Sequence, residues 1–453
     1  MKETSNYLQK IKQFYLIMVP IFIAQIGSML IIFSDTVMSG RAGASDLAGV
    51  AIGSSLLFPF IAGFTGMLLS ITPIIAQHVG AKQKDKIPET VQQGIYLSTL
   101  LALLVLLLGF LFVKPTLNLL DLTVSDYNIA KDYLIGISFG IIPLFIHTVF
   151  RCFFDALGET RVTMIITLIS LPINVFFNYL LIFGSFGFPK LGGAGAGYAS
   201  AITYWIVIII AISISKRFDP FKPYQIMRNW VKISLNAWKE QLKIGVPIGL
   251  SIFFEVSIFA VVTLFMSEFD TFTIAAHQAA INFASLLFMI PLSISMALTI
   301  AVGHEVGANR LDHARQYSNI GISSAALIAF LTAIILYLFN GEIASIYTNN
   351  PQVLELMKHF LLYAIFFQFA DAIGAPVQGV LRGYKDVNIS LMMTFVSYWL
   401  IGIPVGLLAE NYTNLGPFGY WVGLITGLTV GAIGLTTRLV IVQRKHKNSI
   451  QVQ

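Results

Sequence analysis

The sequence predicts an all-α polytopic membrane protein with twelve transmembrane helices in two six-helix, pseudo-symmetric bundles. Three observations lead to this prediction: an apolar composition, a one-sided distribution of basic residues and an internal repeat. Of the 453 residues, 56% are hydrophobic and only 11% are charged, whereas a soluble domain carries about 25% charged residues. Uncharged blocks such as Leu97–Val113 approach the roughly 20 residues that a bilayer-spanning helix needs.

The apolar blocks place the twelve expected spans along the chain. In order, they cover residues 11–34, 47–77, 91–113, 128–152, 160–184, 194–215, 241–267, 274–303, 316–339, 353–380, 388–409 and 415–441. We expect no cleaved signal peptide, because no short apolar segment with a small-residue cleavage site opens the chain. Because Cys152 is the only cysteine, neither an internal disulfide nor a cysteine-based metal site is expected.

The Lys and Arg residues divide unequally between the two sides of the membrane. If the N-terminus is cytoplasmic, 23 of the 28 lie inside. The five outside are Arg41, Lys114, Lys131, Lys190 and Lys358. The positive-inside rule then predicts a multi-pass protein of the cytoplasmic (inner) membrane with both termini in the cytoplasm. Because this topology explains the net charge of +6, no nucleic-acid partner is expected.

The longest connection divides the chain into two lobes. Residues 216–240 are basic and aromatic and contain Trp230 and Trp238, a composition that suits a segment lying along the inner leaflet. We therefore expect an N-terminal six-helix lobe over residues 1–215, a cytoplasmic basic linker over 216–240 and a C-terminal six-helix lobe over 241–453.

The two lobes repeat each other in sequence. "MVPIFIAQ" (Met18–Gln25) aligns with "GVPIGLSI" (Gly245–Ile252) at an offset of 227, and residues 72–85 align with residues 299–312 at the same offset. Two later segments match at offsets of 225 and 224, namely Asp155–Val162 on Val380–Val387 and Leu191–Gly195 on Leu415–Gly419. An even number of helices per lobe makes this a parallel repeat, which is typical of alternating-access transporters.

Three acidic residues lie within the expected spans. Glu255 is 12 residues beyond Lys243, about 18 Å along its helix at 1.5 Å per residue. Asp371 is 11 residues before Arg382, about 16 Å by the same rise. Both acids are therefore predicted at similar mid-membrane depth in the C-terminal lobe, and Asp35 is predicted nearer the outer surface of the N-terminal lobe.

A carboxylate at bilayer depth costs roughly 2.5–3.5 kcal/mol on insertion scales and needs a compensating interaction. The expected spans contain no Lys or Arg at the depth of Glu255 and Asp371. The cost of burying these carboxylates would then be offset by protonation, by a bound metal cation or by a cationic substrate. These two acids are accordingly candidates for coupling or substrate binding, and the alternative is a neutral, hydrogen-bonded acid.

Other polar and aromatic residues are candidates for the same chemistry. Asn174 and Asn178 share one helix face, where they would either bind a hard cation through their amide oxygens or bond to neighbouring helices. Gln278, Asn282 and Ser285 give the eighth span a polar face, which either lines a substrate cavity or packs against other helices. Phenylalanines next to the acids offer ring faces to flat cations; they are Phe253, Phe254, Phe366 and Phe367.

Several segments resemble the multidrug and toxin extrusion (MATE) family, and the acidic pair resembles its NorM-type branch. They are "SDTVMSG" (Ser34–Gly40), "TPIIAQHVGA" (Thr72–Ala81), "FFEVSIF" (Phe253–Phe259) and "LRGYKD" (Leu381–Asp386). The resemblance covers nearly the whole chain and implies the MATE fold. It also implies a cation site at Glu255 and Asp371 and a second cation or proton site at Asp35, Asn174 and Asn178. Where some relatives have a tyrosine near the second acid, this chain has Phe366 and Phe367.

The function that this resemblance implies is secondary-active antiport. Organic cations such as dyes and antibiotics, in particular cationic aromatic drugs, would leave the cell in exchange for Na⁺ or H⁺, without a cofactor and without enzymatic activity. The NorM-like pair favours Na⁺, with Glu255 and Asp371 as its ligands. We expect a monomer in the lipid bilayer.

Two other functions are weighed against this one. A flippase for lipid-linked saccharides would need basic residues at mid-depth, where this sequence has acids. An intramembrane aspartyl protease would need a GxGD-type motif, which is absent from the sequence. The sequence also lacks the GxxxxGK[ST] loop of nucleotide-binding proteins.

Overall fold

The computed structural model describes residues 6–120 and 122–451, with side chains up to Lys447. Every regular element in these residues is helical. The α-helices are α1 (Tyr7–Ala42), α2 (Ala44–Leu68), α3 (Ile71–Gly80), α4 (Lys86–Asn118), α5 (Val124–Ser138), α6 (Ile141–Ala156), α7 (Thr160–Phe183), α8 (Gly193–Arg217), α9 (Leu235–Met266), α10 (Thr271–Gly307), α11 (Leu311–Leu338), α12 (Asn340–Tyr347), α13 (Pro351–Gly383), α14 (Asn388–Phe395), α15 (Ile403–Tyr412) and α16 (Phe418–Gln451).

The twelve expected spans are confirmed in the described residues. Eleven segments are long and apolar enough to cross a membrane, and α5 with α6 forms a twelfth span that bends by 49°. The second span is α2 followed by α3, with a break at Leu69 and Ser70. The eleventh span is α14 and α15 joined by a π-helical segment, Val396–Gly402. Such π-helical insertions are uncommon and often occur at functional sites.

Side-chain caps begin several of these helices. At the start of α10, Asp270 accepts hydrogen bonds from the backbone N–H groups of Phe272 and Thr273. The Thr273 hydroxyl also donates to Asp270, and these bonds hold the pKa of the Asp270 carboxyl below its ordinary value. Asn350 caps α13 in the same way. Because the first N–H groups of a helix have no partner within it, such caps fix where the helix starts.

The chain folds into two compact units whose limits differ from the expected lobes. One unit is Val19–Gly249, and the other combines the residues up to Met18 with those from Leu250 onwards. Helices α1 and α9 are therefore each divided between the units. Each unit has its own buried core, around Phe150, Phe153 and Phe154 in the first and around Phe360 and Trp421 in the second.

The basic connection between α8 and α9 is bonded to the first unit. It is irregular between α8 and α9 except for a short 3₁₀ turn, Lys222–Tyr224. The side chain of Gln92 donates to the carbonyl oxygens of Ile226 (2.6 Å) and Asn229 (2.9 Å) and accepts from the N–H of Val231 (3.0 Å). Gln93 binds the next residues in the same way. The backbone groups of this connection therefore bond to two glutamine side chains instead of to a helix or a strand.

Gln93 is the second of these two glutamines. Its amide nitrogen donates to the Lys232 carbonyl oxygen at 2.7 Å, and its amide oxygen accepts from the Ser234 N–H at 3.0 Å. Both glutamines are buried. The buried side chains hold the backbone of this connection, which belongs to the same compact unit as α4.

The internal repeat is visible in backbone hydrogen bonds at the ends of helices. At the end of α3, the Gln83 N–H donates to the His78 carbonyl oxygen, and at the end of α10 the Arg310 N–H donates to the Glu305 carbonyl oxygen. Lys82 and Asn309 adopt the same left-handed conformation, with φ of 59° and 57°. All of these pairs are 227 residues apart, as the sequence alignment predicts.

The same comparison corrects the alignment further along the chain. The Glu159 N–H donates to the Phe154 carbonyl oxygen, and the Asp386 N–H donates to the Leu381 carbonyl oxygen. These pairs are also 227 residues apart, so the expected offset of 225 is wrong by two. The shared glycines misled the alignment, because the left-handed residue is Gly158 in one half and Lys385 in the other.

We predict that the two glutamines control exchange of individual amide protons in the connection. In Gln92→Ala the Val231 N–H loses its acceptor, and in Gln93→Ala the Ser234 N–H loses its acceptor. A lost hydrogen bond of about 1 kcal/mol corresponds to about fivefold faster hydrogen exchange, measured by mass spectrometry on the purified protein. Gln83→Ala is the control, because Gln83 bonds to His78 at an exposed helix end; unchanged exchange in both variants would contradict the prediction.

Candidate functional site

Two of the expected acids lie on one small cavity in the second unit. Glu255 comes from α9 and Asp371 from α13, and both line this cavity together with Ser285 of α10. The rest of the wall is apolar; it consists of Phe259, Ile281, Ala284, Phe288 and Phe367. Asp371 is buried and Glu255 is half-buried. The two acids, which the sequence predicts at similar depth, therefore lie on the same cavity.

Interhelical contacts hold the cavity walls in place. The Gln368 side chain on α13 donates to the Ala284 carbonyl oxygen on α10 at 3.1 Å. The ring of Phe259 on α9 meets the ring of Phe367 on α13 edge-on, at 5.8 Å between centroids. Because buried polar and aromatic contacts of this kind fix side-chain geometry, the three helices bring both carboxylates to the cavity in a defined arrangement.

The size of the cavity limits what it holds. Its volume is about 50 Å³, whereas one water molecule occupies about 30 Å³ in the liquid. Sites for drug-sized molecules measure about 300–1,000 Å³. In this conformation the cavity therefore has room for an ion and about one water molecule, and it has no room for a drug.

Further ionisable groups lie around the acids, and the sequence analysis missed both of them. The charge of Arg382, three turns beyond Asp371 on α13, acts on Glu255. Its guanidinium donates to the Gln378 side chain at 3.2 Å, so Arg382 influences Glu255 electrostatically without an ion pair between them among the described side chains. Tyr398 of the π-helical segment is buried and lies in electrostatic range of Glu255 and Asp371, so a tyrosine comes from the eleventh span instead of the tenth.

The donor set suits a hard monovalent cation or a proton. Carboxylate and hydroxyl oxygens are ligands for hard cations, and two carboxylates close together bind a proton or a cation more readily than one alone. Among the residues that the structure describes, no three His, Cys, Asp or Glu side chains converge in the manner of a transition-metal centre. The chemistry of the two acids is compatible with either a proton or a hard cation.

A second polar cluster lies in the first unit and joins the other three expected residues. Asp35 of α1 accepts hydrogen bonds from the Asn178 side chain on α7 at 2.6 Å and from the Ser200 hydroxyl on α8 at 3.1 Å. Asn178 also donates to the Asn174 side-chain oxygen at 3.0 Å, and Asn174 donates to Ser200 at 3.3 Å. Ser200, which the sequence analysis did not single out, completes a closed ring of hydrogen bonds.

This arrangement bears on the two roles that the sequence leaves open for the asparagines. Both amide nitrogens point into the network as donors, which is the interhelical hydrogen-bonding role. The Asn178 side-chain oxygen is buried and has no hydrogen-bond partner in the described part of the chain. This oxygen belongs to the side chain that bonds to the Asp35 carboxylate, so the two together could accept a bond from a protonated group or bind a cation.

Two tyrosines surround this cluster. Tyr133 of α5 and Tyr204 of α8 both lie in the electrostatic range of Asp35. Helix α8 begins with a run of small residues, Gly193–Gly197, all buried. The Cβ position of Gly197 would overlap the Tyr133 backbone, so only glycine lets α8 approach α5 closely enough to bring Ser200 and Tyr204 to the acid.

The remaining candidates do not line the acidic cavity. Gln278 and Asn282 are exposed on α10, and Asn282 accepts a hydrogen bond from the Tyr347 hydroxyl at 3.1 Å. Phe253 packs edge-on against Phe254 at 5.9 Å between ring centroids. Of the four expected substrate-cavity residues only Phe367 contributes to the cavity, and a substrate role for the other three stays a prediction.

Comparison with known proteins places the chain in a family. The sequence profile of the MatE family matches residues 20–180 and matches again over residues 247–408. The chain belongs to the MatE family. It is thus a multi-pass membrane transporter and not an enzyme, as the sequence analysis predicts. The two matched stretches begin 227 residues apart, at the offset of the internal repeat.

Full-length relatives carry the NorM name. The chain is 55% identical over 452 residues to a probable multidrug resistance protein NorM of Halalkalibacterium halodurans, covering 100% of this chain and 99% of the relative. It is also 55% identical over 446 residues to a protein of the same name from Bacillus subtilis, covering 98% and 99%. The NorM-type resemblance is therefore confirmed.

Solved structures confirm the fold. The eukaryotic MATE transporter AtDTX14 superimposes with a TM-score of 0.87 at 19% identity, covering 98% of this chain and 99% of that one. The Vibrio cholerae MATE transporter VcmN in its bent form superimposes with a TM-score of 0.86 at 18% identity, covering 97% and 98%. The MATE fold is thus shared although fewer than one residue in five is identical.

We predict that Asn178→Ala destabilises the first unit. The variant removes donors to the half-buried Asp35 and the buried Asn174 and leaves each short of a partner, which costs about 1–2 kcal/mol. Thermal unfolding of the purified protein in detergent would show a lower midpoint. Asn411→Ala is the control, because Asn411 makes an exposed bond to its own helix; equal midpoints for the two variants would argue against the network.

Proposed function

We propose that this transporter is a multidrug efflux antiporter that couples export of organic cations to entry of Na⁺. The observation that carries the proposal is the cavity lined by Glu255 and Asp371, which has the charge for a cation and room for little else. The names of the full-length relatives support the multidrug part of the proposal. Cationic aromatic drugs are the expected substrates, because their charge matches that of the acids.

The mechanism follows from what the two carboxylates require. Without a cation they repel each other, and the charge of Arg382 compensates only part of the repulsion at Glu255. A Na⁺ ion entering the cavity neutralises the pair and stabilises the conformation in which α9, α10 and α13 close around it. Loss of the ion leaves the acids ionised and favours a conformation in which they attract the positive charge of a drug.

The volume of the cavity adds a condition to this scheme. Because about 50 Å³ accommodates an ion and not a drug, the ion and the drug use the same negative charge in different conformations. A ligand shifts a conformational equilibrium only by its difference in affinity for the two states. The small cavity supplies such a difference in affinity, because only the ion fits the conformation in which α9, α10 and α13 close around it.

The cluster at Asp35 has a different character and a separate proposed role. Its hydrogen bonds come from the protein itself, through Asn178 and Ser200, so it needs no ion to be stable. We assign it to a proton or cation that binds at the Asn178 side-chain oxygen during the cycle. The cytoplasmic location of both termini, the six-helix lobes and a monomeric state complete the proposal.

We predict that Glu255→Gln and Asp371→Asn each abolish transport while the protein stays folded. Each variant keeps the shape of its side chain and removes one negative charge, so the site binds a cation at least tenfold more weakly. Efflux of ethidium from proteoliposomes is the measurement. Glu342→Gln, at an exposed position of α12 in the same unit, is the control; normal ethidium efflux by either cavity variant would refute the proposal.

The coupling ion is tested by separating the two gradients. In the same proteoliposomes, a Na⁺ gradient is imposed at equal pH, and a pH gradient is imposed without Na⁺. We expect ethidium efflux with the Na⁺ gradient alone, and loss of that efflux in Asp371→Asn. Efflux driven only by the pH gradient would make the two acids proton carriers, and efflux driven by neither gradient would contradict antiport.

A further inference from the structure

A long apolar groove lies on the second unit, outside the acidic cavity. Helices α13 and α16 form its walls, and its volume is about 570 Å³, within the range of sites for small molecules. Phe369 and Ile373 line it from α13. They are two residues before and two after Asp371, so at 3.6 residues per turn they lie on the opposite side of the helix from the acid. The groove therefore belongs to the outside of the bundle and not to the cation site.

The lining of the groove is suited to an acyl chain. On α16 it extends from Ile425 to Val440, about 22 Å at 1.5 Å per residue, which exceeds the roughly 15 Å of one leaflet of the hydrocarbon core. The side chains of Phe366 and Ile433 at its rim are 65% and 63% exposed. Both belong to membrane-spanning helices, where such exposure would be unfavourable in water.

One polar group inside the groove lacks a partner. The hydroxyl oxygen of Thr436 is buried, and no hydrogen bond reaches it from the residues that the structure describes. Thr437, the next residue, also lines the groove but donates to the Ile433 carbonyl oxygen at 2.9 Å. A buried hydroxyl without a partner is unfavourable, and a ligand with an ester carbonyl at this depth would satisfy it.

Basic residues continue the groove beyond its apolar part. Arg444 and Lys447 are four and seven residues beyond Val440, so they lie on the same face of α16, and both are exposed. Neither has an ion-pair partner among the described side chains. By contrast, Arg438 is already paired with Asp386, at 2.6 Å. The groove thus ends at two free positive charges at the end of the span.

We propose that this groove binds an anionic glycerophospholipid of the phosphatidylglycerol type. One acyl chain lies along α16 between Phe366 and Ile433, an ester carbonyl accepts from Thr436, and the phosphate binds Arg444 and Lys447. The combination of apolar length, a free hydroxyl and two unpaired cations distinguishes this ligand from a zwitterionic lipid, which would bring no net charge to the basic end. It also distinguishes the ligand from a cationic drug, which the two basic residues would repel.

Native mass spectrometry of the delipidated full-length protein tests the proposal. The protein is reloaded with equimolar phosphatidylglycerol and phosphatidylcholine of identical acyl chains, and the bound lipids are counted. We expect the wild type to retain phosphatidylglycerol preferentially. Each basic residue near an anionic headgroup contributes about fivefold in affinity. The preference should therefore fall about fivefold in Arg444→Gln and in Lys447→Gln, and about 25-fold in the double variant.

Matched controls separate the groove from general attraction by positive charge. Lys445→Gln removes an exposed cation that points away from the groove, and it should keep the preference. Thr429→Trp fills the groove and should lose the retained lipid, whereas Val430→Trp, exposed on the neighbouring face, should keep it. Equal retention of the two lipids by the wild type, equal effects of Lys445→Gln and Arg444→Gln, or retention in Thr429→Trp would each overturn the proposal.

Discussion

Polar groups inside a bilayer have to find their partners within the protein, since no water is available there to replace a missing hydrogen bond. The two units meet this requirement in opposite ways. In the first unit, Asn174, Asn178 and Ser200 form a ring with Asp35. In the second unit, Glu255 and Asp371 line a small cavity between helices. The same physical demand thus produces a hydrogen-bonded network in one unit and a pair of acids on a small cavity in the other.

The same demand explains why glycine and glutamine occupy decisive positions. Gly197 lets α8 approach α5 because any side chain there would overlap the Tyr133 backbone, and this approach brings Ser200 to Asp35. Gln92 and Gln93 each carry a donor and an acceptor, so they satisfy carbonyl and N–H groups of an irregular segment at once. Residues that look unremarkable in the sequence therefore determine the geometry around the chemistry.

The sequence was sufficient for the spans and for the offset of 227 between the halves, because each depends on local composition or on spacing along the chain. It was not sufficient for the electrostatic influence of Arg382 and Tyr398 on the acids, because spacing along one helix does not show which helices pack together. It did not indicate that Gln92 and Gln93 hold the connection after α8. Packing between distant segments decided all three.

The turns that end α3 and α10 have the same backbone and different side-chain chemistry. The first is joined by a neutral contact between His78 and Gln83, at 3.1 Å, and the second by an ion pair between Glu305 and Arg310, at 2.6 Å. Because backbone bonds alone define the shape of this turn, the two halves keep the same turn with different side chains. One half of such a protein can therefore carry a charge pair that the other half lacks, while both keep the same backbone architecture. The two halves then differ in the charges of their side chains and not in their shape.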